Sequence, residues 1–216
     1  SDLWLVLHLM IAGRLHWKPA GTKIGGKYQL AAFDFSNGSL VLTEAGSKRR
    51  ASLTLFGSEA EMMAGDPGGI DVFSIDLDTF RYALTHENHT LKRALTDQTL
   101  IAGIGNAYSD EILHAARLSP FKLACSLTPD EIEGLHEAVL DVLTDAVTRS
   151  VGQRAATLKG DKRSGMRVHA RGGLPCPVCG DTIGSVSFAE RSFQYCPTCQ
   201  TGGRELADRR LSRLIK

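Results

Sequence analysis

The chain has 216 residues, 43% of them hydrophobic and 23% charged, with a formal net charge of +1. This composition can bury a hydrophobic core, and among the arrangements that the length allows we predict two domains. The longest apolar run, residues 3–11, is interrupted by His8 and is too short to cross a bilayer, which excludes it as a membrane-spanning segment. We therefore expect a soluble, intracellular protein.

Charge is distributed unevenly along the chain. Residues 151–216 carry 12 lysines and arginines against 5 acidic residues, whereas residues 1–150 carry 13 against 19. The C-terminal part is therefore basic by 7 charges, and the first part is acidic by 6. A solvated charged surface is one explanation, but a basic cluster is also the footprint of a phosphate-binding protein, and we favour nucleic acid as the partner.

Four of the five cysteines form two Cys-x-x-Cys pairs, Cys176 with Cys179 and Cys196 with Cys199. Four sulfur ligands at this spacing can converge on one tetrahedral Zn²⁺ and close its coordination sphere, so we predict a structural zinc. The alternatives are two disulfides or a redox dithiol, but adjacent Cys-x-x-Cys bridges are strained and no thioredoxin-like pattern surrounds either pair. The fifth, Cys125, fits a reducing compartment and is expected in a core.

Residues 3–56 are predicted to form β structure. Strands are expected over four segments, 3–11, 28–35, 40–43 and 51–56. The Asn37-Gly38 pair between two of them can supply the positive φ angles of a tight hairpin. So few strands would leave exposed edges if they stood alone, which indicates an incomplete sheet or sandwich. Between the last two strands, the basic cluster is either a solvated turn or a loop that contacts phosphate, and it consists of Lys48, Arg49 and Arg50.

Helical periodicity follows a glycine-containing segment, 57–69, that has the composition of a linker. We expect Asp78 to cap a first helix and a second helix to begin near Thr90 or Thr96. A later helix is clearer, because Thr128 begins a capping box with a proline at the first helical position. Its predicted core residues recur at helical spacing and are Ile132, Leu135, Val139, Val142 or Leu143, and Ala146.

Residues 100–120 predict a helix-turn-helix. An apolar helix is expected to end at Gly-Ile-Gly-Asn, and a second helix to follow with Asp110 and Glu111 in its first turn. The exposed N–H groups at the start of that helix would suit an anion, with Asn106 as the natural phosphate partner. Alternatively, Gly103 and Gly105 merely shape the turn and Asn106 caps the helix, and local sequence does not separate the two readings.

Two histidines, His114 and His136, lie on or beside the apolar helix faces. Since four cysteines already complete the metal site, we expect both histidines to be packed or surface residues, not metal ligands.

Three segments carry a family pattern: residues 100–113 (LIAGIGNAYSDEIL), 176–180 (CPVCG) and 191–200 (RSFQYCPTCQ). Together they resemble the formamidopyrimidine-DNA glycosylase and endonuclease VIII family of base-excision repair enzymes, and residues 8–13 and 168–176 are also similar to family segments. The resemblance implies an α+β fold in four parts. They are the C-terminal part of a β-sandwich domain at 1–56, a linker at 57–69, a helix-two-turns-helix domain at 70–170, and a four-cysteine zinc-finger hairpin with a basic tail at 171–216.

The resemblance also implies residue roles. Asn106, with the backbone of Gly105, would hold a DNA phosphate beside the lesion, and Arg191 on the finger hairpin would clamp the same stretch of backbone. The damaged nucleotide would rotate out of the duplex, and a side chain would fill the gap. Ile11 occupies the position of the family's wedge methionine. The later loop that supplies further wedge residues aligns poorly, and its candidates are Lys48, Arg49 and Arg50.

The largest departure from the family pattern is at the start of the chain. Family members use an N-terminal proline whose amine attacks C1′ of the sugar, with a neighbouring glutamate as acid and base. This chain begins Ser1-Asp2-Leu3, so we expect these residues, and a phosphate-binding lysine, to lie upstream and the chain as given to be inactive alone. The segment 157–166 is shorter than the loop of members that recognise 8-oxoguanine, which leaves the substrate base open.

The function implied by the resemblance is a DNA glycosylase that excises a damaged base and cleaves the strand by β-elimination. Its partner would be double-stranded DNA with a damaged base or an abasic site, its cofactor structural Zn²⁺, and its state a monomer in the bacterial cytoplasm. One alternative is a non-catalytic, zinc-dependent DNA-lesion-binding protein. A weaker one is an RNA-binding relative of ribosomal helix-two-turns-helix proteins, which lack the finger.

Overall fold

A computed structural model describes residues 3–10, 12–45, 49–151, 165–188 and 191–206, without the side chains of Phe188 and Arg191. The chain divides into two compact units, Ser1–Asp66 and Pro67–Lys216. The division falls inside the expected linker, 57–69, which also contains the short helix α1, Glu59–Met63. Within the described ranges, no helix has the length and apolar character needed to cross a membrane.

The described part of the first unit contains two antiparallel sheets. One pairs β1 with β5, and the other has the order β2-β4-β3. Each predicted strand has a counterpart, whereas β2 was not predicted, because its sequence GRLHWK mixes charged and apolar residues without strict alternation. The bounds are β1 Trp4–His8, β2 Gly13–Lys18, β3 Gln29–Phe35, β4 Gly38–Glu44 and β5 Ser52–Phe56.

The hairpin between β3 and β4 forms at the predicted place but not for the predicted reason. Phe35 pairs with Gly38, which leaves Ser36 and Asn37 as the turn. Neither Asn37 nor Gly38 has a positive φ, so the prediction of left-handed backbone at this pair is wrong. Packing explains the glycine instead, since a Cβ at Gly38 would lie 2.4 Å from ring atoms of Trp17.

The second unit is largely helical, with a two-stranded hairpin near its C-terminal end. Its described helices are α2 Leu77–Thr85, α3 Leu91–Thr96, α4 Asn106–Ala115, α5 Pro129–Ser150 and α6 Pro197–Thr201, with a short 3-10 helix at Ala124–Ser126. Its described strands are β6 Ile70–Asp71, β7 Ile101–Ala102, β8 Gly184–Phe188 and β9 Arg191–Tyr195.

The observed first residues of the helices agree with the sequence prediction, except for the N-cap residue of α2. The N-cap of α2 is Asp76, whose carboxylate accepts a hydrogen bond from the Thr79 N–H at 2.8 Å, and not the predicted Asp78, which lies within the first turn. Thr90 precedes α3 as predicted. The capping box is confirmed, because the Thr128 hydroxyl accepts from the Glu131 N–H while the Glu131 carboxylate accepts from the Thr128 N–H.

The segment before α4 differs from the prediction. Instead of an apolar helix, Ile101 and Ala102 form a short strand parallel to Ile70 and Asp71. The element before the turn is therefore α3, and the chain reverses through Gly103, whose φ of +100° favours glycine. A short apolar run fits a helix or a strand equally well from sequence, and here pairing with a distant segment decides.

The helices of the second unit enclose one apolar cluster. Apolar residues of α5 confirm the predicted face, since Ile132, Leu135, Val139, Leu143 and Ala146 are buried. Cys125 is exposed, so its predicted place in a core is wrong. Its thiol lies 3.1 Å from the Thr85 carbonyl oxygen. The cluster also takes fully buried side chains from α2 to α4, among them Phe80, Leu84, Leu91, Leu95, Ile112 and Leu113.

Asp110 is completely buried in the middle of α4, so its predicted place in the first turn of this helix is wrong. One carboxylate oxygen accepts from Lys92 Nζ on α3 at 2.5 Å. The other contacts His169 Nδ1 at 2.7 Å and accepts from the Gln194 N–H of β9 at 3.2 Å. A buried carboxylate is tolerated when it is paired and hydrogen-bonded in this way, and here the partners come from three separate segments.

Glu111, the next residue of α4, is 4% exposed and also lies beyond the first turn. Its carboxylate accepts three backbone hydrogen bonds, from Arg167 at 2.7 Å, Val168 at 3.0 Å and His169 at 2.8 Å. These bonds attach the segment that leads into the finger to the side of α4. The two consecutive carboxylates thus join α3, the approach segment and β9 to one helix.

We predict that Asp110→Asn lowers the free energy of unfolding by about 3–5 kcal/mol, because it removes the buried carboxylate that pairs with the Lys92 charge. Urea unfolding followed by circular dichroism measures this change. The matched control is Asp78→Asn, which removes an exposed carboxylate paired with Arg81 and should cost less than about 1 kcal/mol. Equal effects of the two substitutions would contradict the assigned importance of the buried pair.

Candidate zinc centre and nucleic-acid interface

The four predicted cysteine ligands converge on one point. Their sulfur atoms lie within 4.8 Å of one another, with Cys176 and Cys199 at 3.9 Å and Cys179 and Cys196 at 3.3 Å. Four sulfurs around a tetrahedral Zn²⁺ stand about 3.8 Å apart, given a Zn–S distance of about 2.3 Å. All four cysteines are free, so the two disulfides are not supported. A redox dithiol needs two sulfurs and does not explain why four converge. The donor set fits structural zinc.

Each Cys-x-x-Cys pair sits in a tight turn that presents its sulfurs. In the first, the Gly180 N–H donates to the Cys176 carbonyl at 2.9 Å, and Gly180 has a φ of +81°. In the second, Cys196 is the N-cap residue of α6, and the Cys199 N–H points at its sulfur at 3.5 Å. Hairpin β8–β9 joins the two turns, as a zinc-ribbon hairpin requires.

Burial disfavours ionisation of two of the sulfurs in the absence of a cation. It raises the pKa of Cys199 to about 11 and raises the pKa of Cys196 further. Burial acts in the same direction on Cys176, but N–H groups of Cys179 and Val178 outweigh it and lower the pKa of that thiol. A bound divalent ion stabilises the thiolates, so zinc binding releases protons and contributes directly to folding of the finger.

Asn106 lies at the start of α4 and contacts the finger hairpin. Its side-chain Nδ2 donates to the Ser192 carbonyl oxygen of β9 at 3.1 Å. Gly105, not Asn106, is the N-cap residue, so the reading in which Asn106 caps the helix is wrong. The Asn106 carbonyl oxygen accepts from Lys92 Nζ at 2.7 Å, which ties this helix start to α3.

The space over Gly105 is open. A Cβ placed there would meet no heavy atom within 4 Å, and the φ of −99° does not require glycine. Packing within the described part of the chain therefore does not require a glycine, and the backbone here is open to close approach of a ligand. The N–H groups of the first turn of α4 are available at the same place.

A groove of about 430 Å³ lies beside Asn106. Phe121 and Phe193 meet edge to face in its lining, with ring centroids 5.4 Å apart, and Lys92 Nζ lies 5.8 Å from the Phe193 ring centroid. The exposed Arg93 also lines it. The groove therefore combines basic groups with apolar walls where α3, the start of α4 and the hairpin meet.

For the other predicted DNA-binding residues, the structure describes only part of the positions or side chains. Arg191 begins β9, paired with Phe188, and its side chain is not among those described. Arg49 and Arg50 are exposed in the first unit, where Arg49 donates to the Lys27 carbonyl oxygen at 2.8 Å and the Arg50 N–H to the Glu44 carboxylate at 2.8 Å. Three calls lie outside the described residues, namely Ile11, Lys48 and all but the end of segment 157–166.

Several residues of this region were not predicted. Lys92 and His169 appear in the sequence as an ordinary basic residue and an ordinary histidine, and only their shared contact with Asp110 gives them a role. The signal that was available is the pair Asp110-Glu111 between apolar residues of one helix, since carboxylates in such a place need partners.

His114 is buried as predicted, but it lies beside the metal site. Burial lowers its pKa, although Glu111 opposes this shift.

Comparison with known families agrees with this arrangement. Residues 69–157 match the formamidopyrimidine-DNA glycosylase H2TH domain, and residues 173–202 match the zinc finger found in FPG and IleRS. The α+β class with a helix-two-turns-helix domain and a four-cysteine finger is therefore confirmed, as is the structural zinc. The limits proposed at 1–56, 57–69, 70–170 and 171–216 stay predictions.

Relatives extend the match over most of the chain. An uncharacterized formamidopyrimidine-DNA glycosylase-like protein from Mycobacterium tuberculosis is 60% identical over 158 residues, which are 71% of this chain and all of the relative. The formamidopyrimidine-DNA glycosylase of Desulforamulus reducens is 32% identical over 93% of this chain and 75% of its own length. The structure of Lactococcus lactis Fpg with abasic-site DNA superposes with a TM-score of 0.77 at 25% identity, covering 93% of this chain and 76% of that one.

The family resemblance of residues 100–113 and 176–200 thus agrees with two domain matches, with a relative that aligns over 93% of the chain, and with the fold of a solved family structure. The chain belongs to the formamidopyrimidine-DNA glycosylase family.

Proposed function

We propose that the protein is a DNA repair glycosylase that binds duplex DNA at a damaged base or abasic site as a monomer. It rotates the damaged nucleotide out of the duplex, excises the base and cleaves the strand by β-elimination. The matched Lactococcus lactis structure is a complex with abasic-site DNA, which supports this choice of partner.

One contact carries the proposal, the hydrogen bond from Asn106 to the Ser192 carbonyl oxygen at 3.1 Å. Ser192 follows Arg191 directly on β9, so the bond sets Asn106 beside the backbone of the strand that Arg191 begins, which supports a clamp formed by these two residues. Asn106 donors and an arginine fork can share the oxygens of one phosphate. The open backbone at Gly105 leaves room for that phosphate to approach.

The surrounding charge supports the same partner. Residues 151–216 carry a net charge of +7, and Lys92 and Arg93 line the groove beside Asn106. Phosphate neutralisation by basic side chains supplies most of the affinity of proteins for DNA and makes that affinity fall with salt. Zn²⁺ in a closed four-cysteine site holds the hairpin that carries Arg191 and supplies no catalytic step.

Base excision requires a nucleotide outside the stack, because C1′ cannot be attacked inside a duplex. We propose that an apolar or basic side chain of the first unit fills the gap, and the candidates are Ile11, Lys48, Arg49 and Arg50. An amine of the protein then attacks C1′ as the base leaves, and breaking of the C1′–O4′ bond opens the sugar ring to give an iminium. The iminium allows β-elimination of the 3′ phosphate. In this account the second unit binds and bends the DNA and makes no covalent bond to it.

We predict that Asn106→Asp weakens binding to a duplex with a tetrahydrofuran abasic analogue by more than about 10-fold, because a carboxylate replaces a donor against phosphate. Fluorescence anisotropy measures the affinity. Asn88→Asp is the matched control, since it adds the same charge to the lining of the same groove. An acidic residue at the first position of α4 suits the helix, so α4 should still form, although the variant also loses the bond to the Ser192 carbonyl oxygen. Equal losses in the two variants would show a general charge effect and contradict the clamp.

A second prediction concerns Arg191. Arg191→Lys keeps the charge but removes the planar fork, and we expect about 10-fold weaker binding to the same duplex. Arg204→Lys makes the same exchange at an exposed position after α6 and should leave the affinity unchanged. Unaltered affinity of the Arg191→Lys protein would remove Arg191 from the proposed clamp.

The proposed chemistry is tested by borohydride trapping with the natural protein and an abasic-site duplex. Attack by an amine predicts a covalent protein–DNA adduct after reduction of the iminium. Tight binding without an adduct would favour the second candidate function, a non-catalytic lesion-binding protein. Preference for a hairpin RNA over abasic DNA would overturn both.

A further inference from the structure

His114 lies near the end of α4 and faces the metal site. Its Nε2 is 3.4 Å from Cys176 Sγ, and the residue is 3% exposed. Cys176 belongs to the first cysteine turn, 62 positions further along the chain, so the contact joins the helical part of the second unit to the finger. The sequence analysis placed His114 among packed or surface histidines, and the family match assigns it no role.

The chemistry of the sulfur determines the direction of this hydrogen bond. A zinc-bound cysteine is a thiolate, which has no proton to donate and can only accept. His114 must therefore carry its proton on Nε2, which leaves Nδ1 as an acceptor. Nδ1 is buried and has no hydrogen-bond partner among the described residues. A buried polar atom without a hydrogen bond destabilises the folded state, and a phenylalanine or leucine at this position would fill the space without that cost. A packing role alone therefore does not explain the histidine.

Few donors reach the sulfurs of the site. Backbone N–H groups of Val178 and Cys199 lie 3.5 Å from Cys176 Sγ and Cys196 Sγ, respectively. Among the hydrogen bonds of the described residues, His114 provides the single side-chain N–H to a ligand sulfur. Four thiolates leave the zinc complex with excess negative charge in a partly buried place, and N–H donors to the sulfurs stabilise that charge. The closed set of four cysteines leaves no position for His114 as a direct ligand.

We propose that His114 is a positioning residue for the zinc centre, donating its Nε2–H to the Cys176 thiolate and strengthening zinc binding. The same helix carries Asn106 at its first position, so α4 contacts the finger at both ends. Zinc retention then depends on a residue of the helical domain as well as on the finger itself.

The test compares three substitutions of His114 by zinc transfer from the loaded full chain to a chromogenic chelator at fixed pH. His114→Phe keeps a ring of similar size but has no N–H, and we expect zinc affinity to fall by about 10-fold or more. Glutamine places its amide nitrogen near the position of Nε2, so His114→Gln should retain zinc like the natural protein. Asparagine places its amide near Nδ1 instead, so His114→Asn should resemble His114→Phe.

His136→Phe is the matched control, because His136 is a half-buried helical histidine whose Nε2 contacts the Ile75 carbonyl oxygen at 3.1 Å. It should not alter zinc transfer. Unchanged transfer in His114→Phe, or equal losses in the Phe and Gln variants, would overturn the proposal and leave a packing role.

Sulfur-to-metal charge-transfer bands of the cobalt-substituted proteins give a second readout from folded molecules. These bands should shift in the Phe and Asn variants and not in the Gln variant, and identical spectra in all three would equally refute the proposal.

Discussion

The second unit depends on two consecutive buried carboxylates in the middle of one helix. Asp110 and Glu111 point about 100° apart around α4, because an α-helix turns once in 3.6 residues. The first therefore reaches Lys92 on one side, and the second reaches the backbone of the segment that leads into the finger on the other. Each carboxylate would be costly in a buried place if it were not paired. The same requirement favours this arrangement, since it satisfies both groups at once.

This arrangement explains how one helix of ten residues organises the proposed DNA-binding region. At about 15 Å, α4 is long enough to contact the finger at two separate points. Asn106 meets β9 at one end, and His114 meets Cys176 at the other. The start of α4, the finger hairpin and the cysteine site are therefore connected through one short helix.

Features that depend on neighbouring residues could be predicted from the sequence. The four-cysteine site follows from spacing alone, and the start of α5 follows from the capping box at Thr128. The strand at Ile101–Ala102 could not be predicted, because a short apolar run suits a helix equally well and its partner lies some thirty residues earlier in the chain. Cys125 was expected in a core because free cysteines usually are, but it is the exposed middle residue of a short 3-10 helix.

By itself the sequence determined the metal, its ligands, the order of the parts and the family, because short motifs encode local turns and donor sets. It did not determine which polar residues would be buried or what they would contact. The sequence placed Asp110 and Glu111 in the first turn of a helix and His114 among packed or surface histidines, and it predicted none of their contacts with α3, the approach segment and the finger. Only the tertiary structure decided their roles, since the cost of burying a charge or an N–H donor depends on partners that are distant in the chain.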